Sequence, residues 1–473
     1  MKRLKQALPY IEDSADLFDA IADKPWAVML DSGPGHSRRG RYDILAADPF
    51  ITLVTRGERT EIHGPDGSVL SPKDPFELVR EVLQPQDEGD TELPFQGGAI
   101  GYFGYDLARR IERLPDIAKD DEQLPEMVVG IYDWALVVDH EKRCSWLVSA
   151  GRDAATRELW PELIRRFSAS AESVERESFE AVGQVESSLT YAQYADAFQR
   201  IQDYIRNGDC YQVNFAQRFR VDVTGDPWMA YRQLRDINPA PFAAYMNLPF
   251  AQVLSASPER FLSLHNGRVI TQPIKGTRPR SAEPGVDWML GHSLLNSAKD
   301  RAENVMIVDL LRNDLSKNCS LKSVKVPKLF ELQSFATVHH LVTTITGRLD
   351  WGRDALDLLR GCFPGGSITG APKIRAMEII DEQEPFRRGV YCGTIGYIGF
   401  DGRMDSSIVI RTITHAQGRM HFWAGGGITT GSTLDGEYQE SFDKAAAMLK
   451  LFNKNNSSKS GISERARRKN LGR

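Results

Sequence analysis

Cysteine is scarce in this 473-residue chain: Cys144, Cys210, Cys319, Cys362 and Cys392 are scattered and never spaced as Cys-x-x-Cys. That argues against a zinc ribbon or a disulfide framework and predicts reduced thiols in a cytoplasmic protein. Long apolar runs are also missing, and none approaches the roughly 20 residues of a membrane-spanning helix. Met1-Lys2-Arg3-Leu4-Lys5 is basic, but Pro9, Glu12, Asp13 and Asp16 follow where a signal peptide needs its apolar stretch. No fixed-period repeat or heptad run occurs, which excludes solenoids and coiled coils. Gly365 and Gly370 have the separation of a phosphate loop, yet Ala371-Pro372 stands where Lys-Ser or Lys-Thr must reach phosphate and Mg²⁺, so ATP binding is excluded. None of the five cysteines sits in the Gly-x-Cys-x-Gly elbow of a triad glutaminase.

What is present is an ordinary globular composition, 41% hydrophobic and 26% charged. The net charge of −5 is uneven: residues 454–473 hold seven Lys or Arg against one Glu, leaving −11 for the rest. That tail has almost no apolar residues and no aromatic among its charges, which predicts solvated disorder rather than a nucleic-acid platform. Residues 1–167 read as β-rich, with strands at Trp26 to Leu30, Ile51 to Val54 and Val128 to Val138. Residues 168–189 are polar and acidic and read as a linker. Residues 190–453 mix a helix at Thr190 to Asn207 with strands at Gln212 to Val221, Ala251 to Ser257 and Arg268 to Ile274.

Several residues carry chemistry. Lys275 ends an apolar run just before a glycine, where burial or the cations Arg278 and Arg280 could keep its amine neutral and nucleophilic. In Ser297 to Asp314, Ala298, Ala302, Met306 and Leu310 suggest a packing stripe, with Asp300 and Glu303 three apart beside it. In Leu434 to Phe452, Phe442, Ala445, Leu449 and Phe452 are the apolar set, and Glu437, Glu440 and Lys444 form a polar stripe. Opposed across a cleft, two acid pairs suit Mg²⁺; separately they are solvated faces. Gly425-Gly426-Gly427 lets backbone N–H groups approach an anion. Arg411 ends an apolar run and needs an anionic partner, either a substrate carboxylate or a structural acid.

Pro273-Ile274-Lys275-Gly276-Thr277-Arg278-Pro279-Arg280 resembles the signature of the chorismate-utilising enzymes. So do Gly208 to Asn214, Ser257-Pro258-Glu259-Arg260-Phe261, Val308 to Asp314, His339-His340-Leu341, and Gly366-Ser367-Ile368-Thr369-Gly370-Ala371-Pro372-Lys373. The resemblance runs from about Pro25 to Phe452 and leaves the tail out. It implies an α/β (α+β) fold, one large domain of two face-packed β-sheets flanked by helices, so that the linker need not separate independent units. It implies Lys275 as nucleophile and Glu259 as general acid, with Thr277, His340, Thr369, Tyr397, Arg411, Gly426, Gly427 and Lys444 on the substrate. Lys299 to Asn304 and Glu437 to Glu440 resemble the Mg²⁺ segments, with Glu303 and Glu440 as ligands and Asp300 and Glu437 behind them. Ser32, Arg39, Gly40, Arg41, Tyr42, Pro241, Phe242 and Ala243 lie where family members bind tryptophan.

Within this family the aminating branch that leads to 4-aminobenzoate and folate has lysine at position 275, whereas anthranilate-forming members generally have alanine. Relatives that add water use a lysine where this chain has Gln212, and glutamine is not a base. The resemblance therefore implies conversion of chorismate and ammonia to 4-amino-4-deoxychorismate, with Mg²⁺ and a separate glutamine amidotransferase subunit supplying ammonia. The alternatives are an anthranilate-forming component and a catalytically silent tryptophan-binding regulator.

Overall fold

Alternation along each strand sends successive side chains to opposite faces. In Ala27–Asp31, Val28 points into one apolar layer while Ala27 and Met29 point into another. The computed structural model describes residues 2–33, 40–84, 92–168, 175–335 and 338–469, with side chains described as far as Asn453. Among them, two twelve-stranded antiparallel sheets form. The first runs from Leu4–Leu8 at one edge to Gln212–Thr224 and Glu180–Ser187 at the other; the second runs from Ile274–Pro279 to Gly67–Ser71. Val28, Ile44, Val137 and Val253 of the first meet Ile100, Tyr102, Val128 and Ile395 of the second in a shared core. Helices cover the outer faces, through Phe18, Trp228, Tyr231 and Met448 on one side and Phe76, Ile307, Leu311 and Leu356 on the other. No helix among the described residues is long and apolar enough to cross a membrane.

Both sheets are built from both parts of the chain. Ala27–Asp31 pairs with Phe242–Leu248, and Gly98–Phe103 pairs with Thr394–Gly399. The expected linker is therefore no boundary: residues 169–174 lie outside the described residues, but Glu180–Ser187 forms a strand on Gln212–Thr224. Its alternating Ala181 and Val185 pack on the helix-covered core, a signal too sparse to stand out in a polar segment.

Other boundaries shift for physical reasons. Val128 to Val138 is two strands, Met127–Tyr132 and Trp134–Asp139, and the chain changes sheets at Asp133. Asp133 holds that crossing by accepting from the Ser149 hydroxyl at 2.7 Å and the Arg152 amide at 2.6 Å. Tyr191–Asn207 starts on a Thr190/Gln193 capping box, which satisfies two otherwise orphaned amide donors. In the helix Ala298–Ser316 the expected stripe is wrong. Ala298 and Ala302 are exposed, and the helix buries Asn304, Ile307, Val308, Leu311 and Leu315 instead. A strict four-residue step drifts about 40° per step round the helix, whereas mixed steps of three and four stay on one face. The last helix, Leu434–Lys469, runs on through the tail expected to be disordered.

Candidate active site

Glu259 sits where the chain passes from Ala251–Ser257 in the first sheet to Arg260–His265 in the second. The crossing is fixed by Ser257, whose hydroxyl donates to the Ile408 carbonyl at 2.6 Å, and by the Ile408 amide, which donates to the Glu259 carbonyl at 3.0 Å. Burial, at 5% exposure, raises the pKa of the Glu259 carboxyl; the Ser367 hydroxyl, Lys275 and the Ile274 amide oppose that shift without cancelling it.

Lys275 lies on Ile274–Pro279, whose pairing with Val338–Arg348 is interrupted by a register shift between Ile274 and Thr277. At this bulge Gly276 has φ +78°, and a Cβ there would meet Leu294 Cδ1 at 2.7 Å. The residue keeps some exposure, but its ammonium lies deep and donates to the Ser367 carbonyl at 2.9 Å. Burial lowers its pKa; Glu259, Glu303 and Glu440 pull it up, and Lys444 adds to the lowering. The amine and the carboxyl thus have pKa values moved toward one another.

The acids come from two helices. Lys299 Nζ stands 3.3 Å from Glu437 and 3.8 Å from Glu303, tying Ala298–Ser316 to Leu434–Lys469. Lys444 Nζ is 2.7 Å from Glu440 and donates to the Gly425 carbonyl at 2.9 Å. A Cβ on Gly426 would stand 2.8 Å from Glu437 Oε2, so glycine is what lets this helix approach the strand; at Gly427 it would collide with the Gln212 amide. Burial raises the Glu303 pKa, relieved by Lys275 and Lys299 and reinforced by Glu437 and Glu440. Burial would raise Glu440 too, but Lys444, Lys299 and Lys275 together outweigh it and the pKa is lowered.

The other expected residues divide. Thr277 and His340 are cross-strand partners, 3.0 Å apart between Oγ1 and Nδ1. The Thr369 hydroxyl turns onto its own loop, donating to the Gly365 carbonyl at 3.1 Å. Asp300 lies under the lysine turn, paired with Arg278 at 3.1 Å. Arg411 lies at the second crossing between the sheets, with φ +51° and a hydrogen bond of 3.4 Å to Asn238; burial lowers its pKa, and no carboxylate pairs with it among the described residues. Tyr397 lines a cavity of about 140 Å³ with Ser32, Gly40, Arg41, Tyr42, Pro241, Phe242 and Ala243. That cavity brings together the expected tryptophan residues except Arg39, which lies outside the described residues. Its wall includes Arg260, stacked 5.0 Å over Phe242 and next in sequence to Glu259.

The residues present fit a hard cation. Glu303 Oε1 and Glu437 Oε2 are buried without hydrogen-bond partners. No group of three acidic, histidine or cysteine side chains converges among the described residues, but Mg²⁺ commonly takes one or two carboxylates and completes its shell with water and substrate oxygens. Sequence reasoning missed Ser367, whose carbonyl accepts from Lys275 at 2.9 Å; its signal was its place within a glycine loop. Arg388 was missed too. Fully buried, it pairs with Glu384 and donates to the Ile368 and Asn214 carbonyls, and nothing in its sequence neighbourhood marks it.

A deep-set lysine ammonium electrostatically coupled to a buried carboxyl, flanked by two acid-bearing helices at a seam between two sheets, is the kind of side-chain set that marks an active site. Residues 27–450 match the chorismate binding enzyme family, and the chain belongs to that family. It is 47% identical to aminodeoxychorismate synthase component 1 of Escherichia coli, over 96% of this chain and all of that protein. It is 39% identical to anthranilate synthase component 1 of Thermus thermophilus, over 94% of this chain and 96% of that one. Among solved structures it resembles anthranilate synthase component I of Streptococcus pneumoniae, with a TM-score of 0.74 and 33% identity, covering 87% of this chain and 92% of that one.

Proposed function

We infer that this chain aminates chorismate to 4-amino-4-deoxychorismate, as the relatives named aminodeoxychorismate synthase component 1 suggest. The observation that carries the reading is Lys275 itself, a buried amine with a lowered pKa, 2.9 Å from the Ser367 carbonyl and electrostatically beside Glu259. Neutral Lys275 adds to C2 of the cyclohexadiene as the C4 hydroxyl leaves with the Glu259 proton as water. Ammonia then bonds to C4, the C2–N bond breaks with its electron pair returning to lysine, and the surplus proton on the new amine returns to Glu259. Two allylic displacements replace one difficult substitution. Arg411, which has no acidic partner among the described residues, is suited to a substrate carboxylate.

Glu303 and Glu440 would hold Mg²⁺, with Glu437 beside them. Such an ion supplies positive charge for a substrate carboxylate. The cavity around Ser32 and Phe242 is the candidate tryptophan site. The thiol of Cys392 is pushed up to about 12 by burial, and those of Cys210 and Cys319 to about 11, which disfavours the thiolates a glutaminase needs. A separate glutamine amidotransferase subunit is therefore the proposed ammonia source, and a reducing cytoplasm the proposed setting. The test is the product made from chorismate, ammonium salt and Mg²⁺: 4-amino-4-deoxychorismate, identified by mass and ultraviolet spectrum, supports the reading, and anthranilate as the sole product overturns it.

A further inference from the structure

Arg260, next in sequence to Glu259, is a fixed post. Its guanidinium takes Asp405 bidentately at 2.9 and 2.8 Å and lies 5.0 Å over the Phe242 ring. Its remaining nitrogen, Nη1, donates to Gln272 Oε1 at 3.1 Å, and Gln272 Nε2 donates to the Thr344 hydroxyl at 3.1 Å. Arginine only donates, so the amide oxygen has to face it and the NH₂ group has to face the threonine. Gln272 stands just before Lys275, in the gap between Arg268–Thr271 and Ile274–Pro279. Both of those strands pair with Val338–Arg348, through Thr271 with Ile345 and Ile274 with Val342, which sets Gln272 opposite Thr344. The backbone around it is thinly held. Pro273 has no N–H to give to the ladder, although its carbonyl accepts from the Thr343 amide at 3.2 Å, and the register shifts between Ile274 and Thr277.

We propose that Gln272 is a positioning residue for the reacting pair. Its side-chain amide ties the strand that carries Lys275 to the partner strand on one side and to the arginine beside Glu259 on the other, and so fixes how the amine stands relative to the carboxyl. The inference rests on the amination reading for the step it serves. Lys275 Nζ has its own hold on the Ser367 carbonyl at 2.9 Å, but that bond lies at the end of a flexible side chain and sets neither the height nor the tilt of the strand beneath it. Gln272 does, because it spans two elements that are rigid for other reasons. Arg260–His265 and Val338–Arg348 are each paired to strands on both sides. One hydrogen bond from a charged donor and one to a hydroxyl suffice to steady a strand whose ladder is broken, and a misplacement of about 1 Å at a reacting group costs on the order of 10²-fold in rate.

Three variants of the whole chain test it. Gln272→Met keeps the length of the side chain and loses both hydrogen bonds, Gln272→Glu keeps an acceptor for Arg260 and for the Thr344 hydroxyl, and Thr344→Val removes that hydroxyl alone. With chorismate, ammonium salt and Mg²⁺, Gln272→Met should lower kcat by roughly tenfold or more and leave the KM for chorismate within about twofold. Gln272→Glu should recover most of that kcat. Thr344→Val should lower kcat by about threefold or more alone and by less than about twofold in the Gln272→Met background, since both changes cut the same tie. Thermal unfolding identifies any variant that fails to fold, and Thr344→Val, the mildest change, then carries the test. Hydrogen exchange of the peptide from Ile274 to Pro279, which needs no chorismate, should quicken by about threefold or more in Gln272→Met and Thr344→Val and match the wild type in Gln272→Glu. Undiminished kcat in Gln272→Met, a loss confined to KM, equal losses in Gln272→Met and Gln272→Glu, losses that multiply in the double variant, or unaltered exchange overturns the inference. A wild type that makes no 4-amino-4-deoxychorismate while exchange follows this pattern counts against the amination reading alone.

Discussion

Glu259 and Arg411 stand on two adjacent crossings between the same pair of sheets. The Ile408 amide donates to the Glu259 carbonyl at 3.0 Å, and the Ala256 amide donates to the Arg411 carbonyl at 3.1 Å. Each crossing is thus hydrogen-bonded to the strand that feeds the other. The proposed proton donor and the proposed anion-binding group are thereby carried on one rigid seam rather than on loops, and preorganisation of this kind is what proximity catalysis requires.

Replacing Lys275 with Ala should leave the sheets intact, since the side chain contributes one hydrogen bond to a loop held independently by Lys373 and Arg388. Amination by ammonia should fall by on the order of 10²–10⁴-fold, the usual contribution of a group that takes part directly in the chemistry. Product analysis of the variant separates two outcomes. Trace anthranilate would tie this lysine to the choice of reaction, whereas undiminished 4-amino-4-deoxychorismate formation would end the case for an obligatory covalent step.

Glu303→Gln and Glu440→Gln keep side-chain volume and remove the charge that holds a hard cation. Either should raise the Mg²⁺ concentration for half-maximal turnover by about tenfold or more. Titration of turnover against Mg²⁺ in each variant measures this. Wild-type turnover that continues unchanged in excess chelator removes the ion from the mechanism.

How much of this was legible in sequence depends on whether a residue's role is local. Lys275 beside Gly276, Glu259 at the end of a strand, and the acids of the two helices were legible because each is marked by its immediate neighbours. The face of Ala298–Ser316 was misread because small alanines fit a packing stripe without demanding one. The strand Glu180–Ser187 hid in a polar segment because an edge strand needs few apolar residues. Tyr397 lines the Ser32 cavity, an orientation decided by its strand's pairing with Gly98–Phe103 and Met404–Ile408, which no local motif announces. Arg388 acts only through carbonyls distant in sequence, and no motif encodes such a contact.

The pH dependence follows from the shifted pair. The proposed reaction requires Lys275 without its proton and Glu259 with one. Burial lowers the first pKa and raises the second, so both limbs of the kcat/KM profile should lie nearer neutrality than free lysine and glutamate would place them. Rate should rise as one group of the pair reaches its working form and fall as the other leaves it. In Glu259→Gln the bell should lose one limb as well as most of its height. A profile of unchanged shape in that variant would assign the proton to another residue.

Gly276→Ala probes the bulge that aims the lysine. The added Cβ meets Leu294 at 2.7 Å, and φ +78° is strained for alanine, together costing roughly 1–3 kcal/mol. Thermal unfolding should shift down modestly while amination falls far more, because Lys275 is displaced from Ser367. Equal losses in the two measurements would reduce the bulge to a matter of stability.

Glutamine alone should not serve as nitrogen donor. Four of the five thiols are buried, none lies in a nucleophile elbow, and burial pushes the pKa of each of those four upward. The chain should therefore turn over chorismate with ammonium salts, faster as pH rises and more NH₃ is unprotonated until the enzyme's own alkaline limb intervenes. With glutamine it should form no product until a glutamine amidotransferase subunit is added. Glutamine-dependent product from the rigorously purified single chain, with product lost on alkylating its cysteines, would place a glutaminase within this protein and remove the need for a partner.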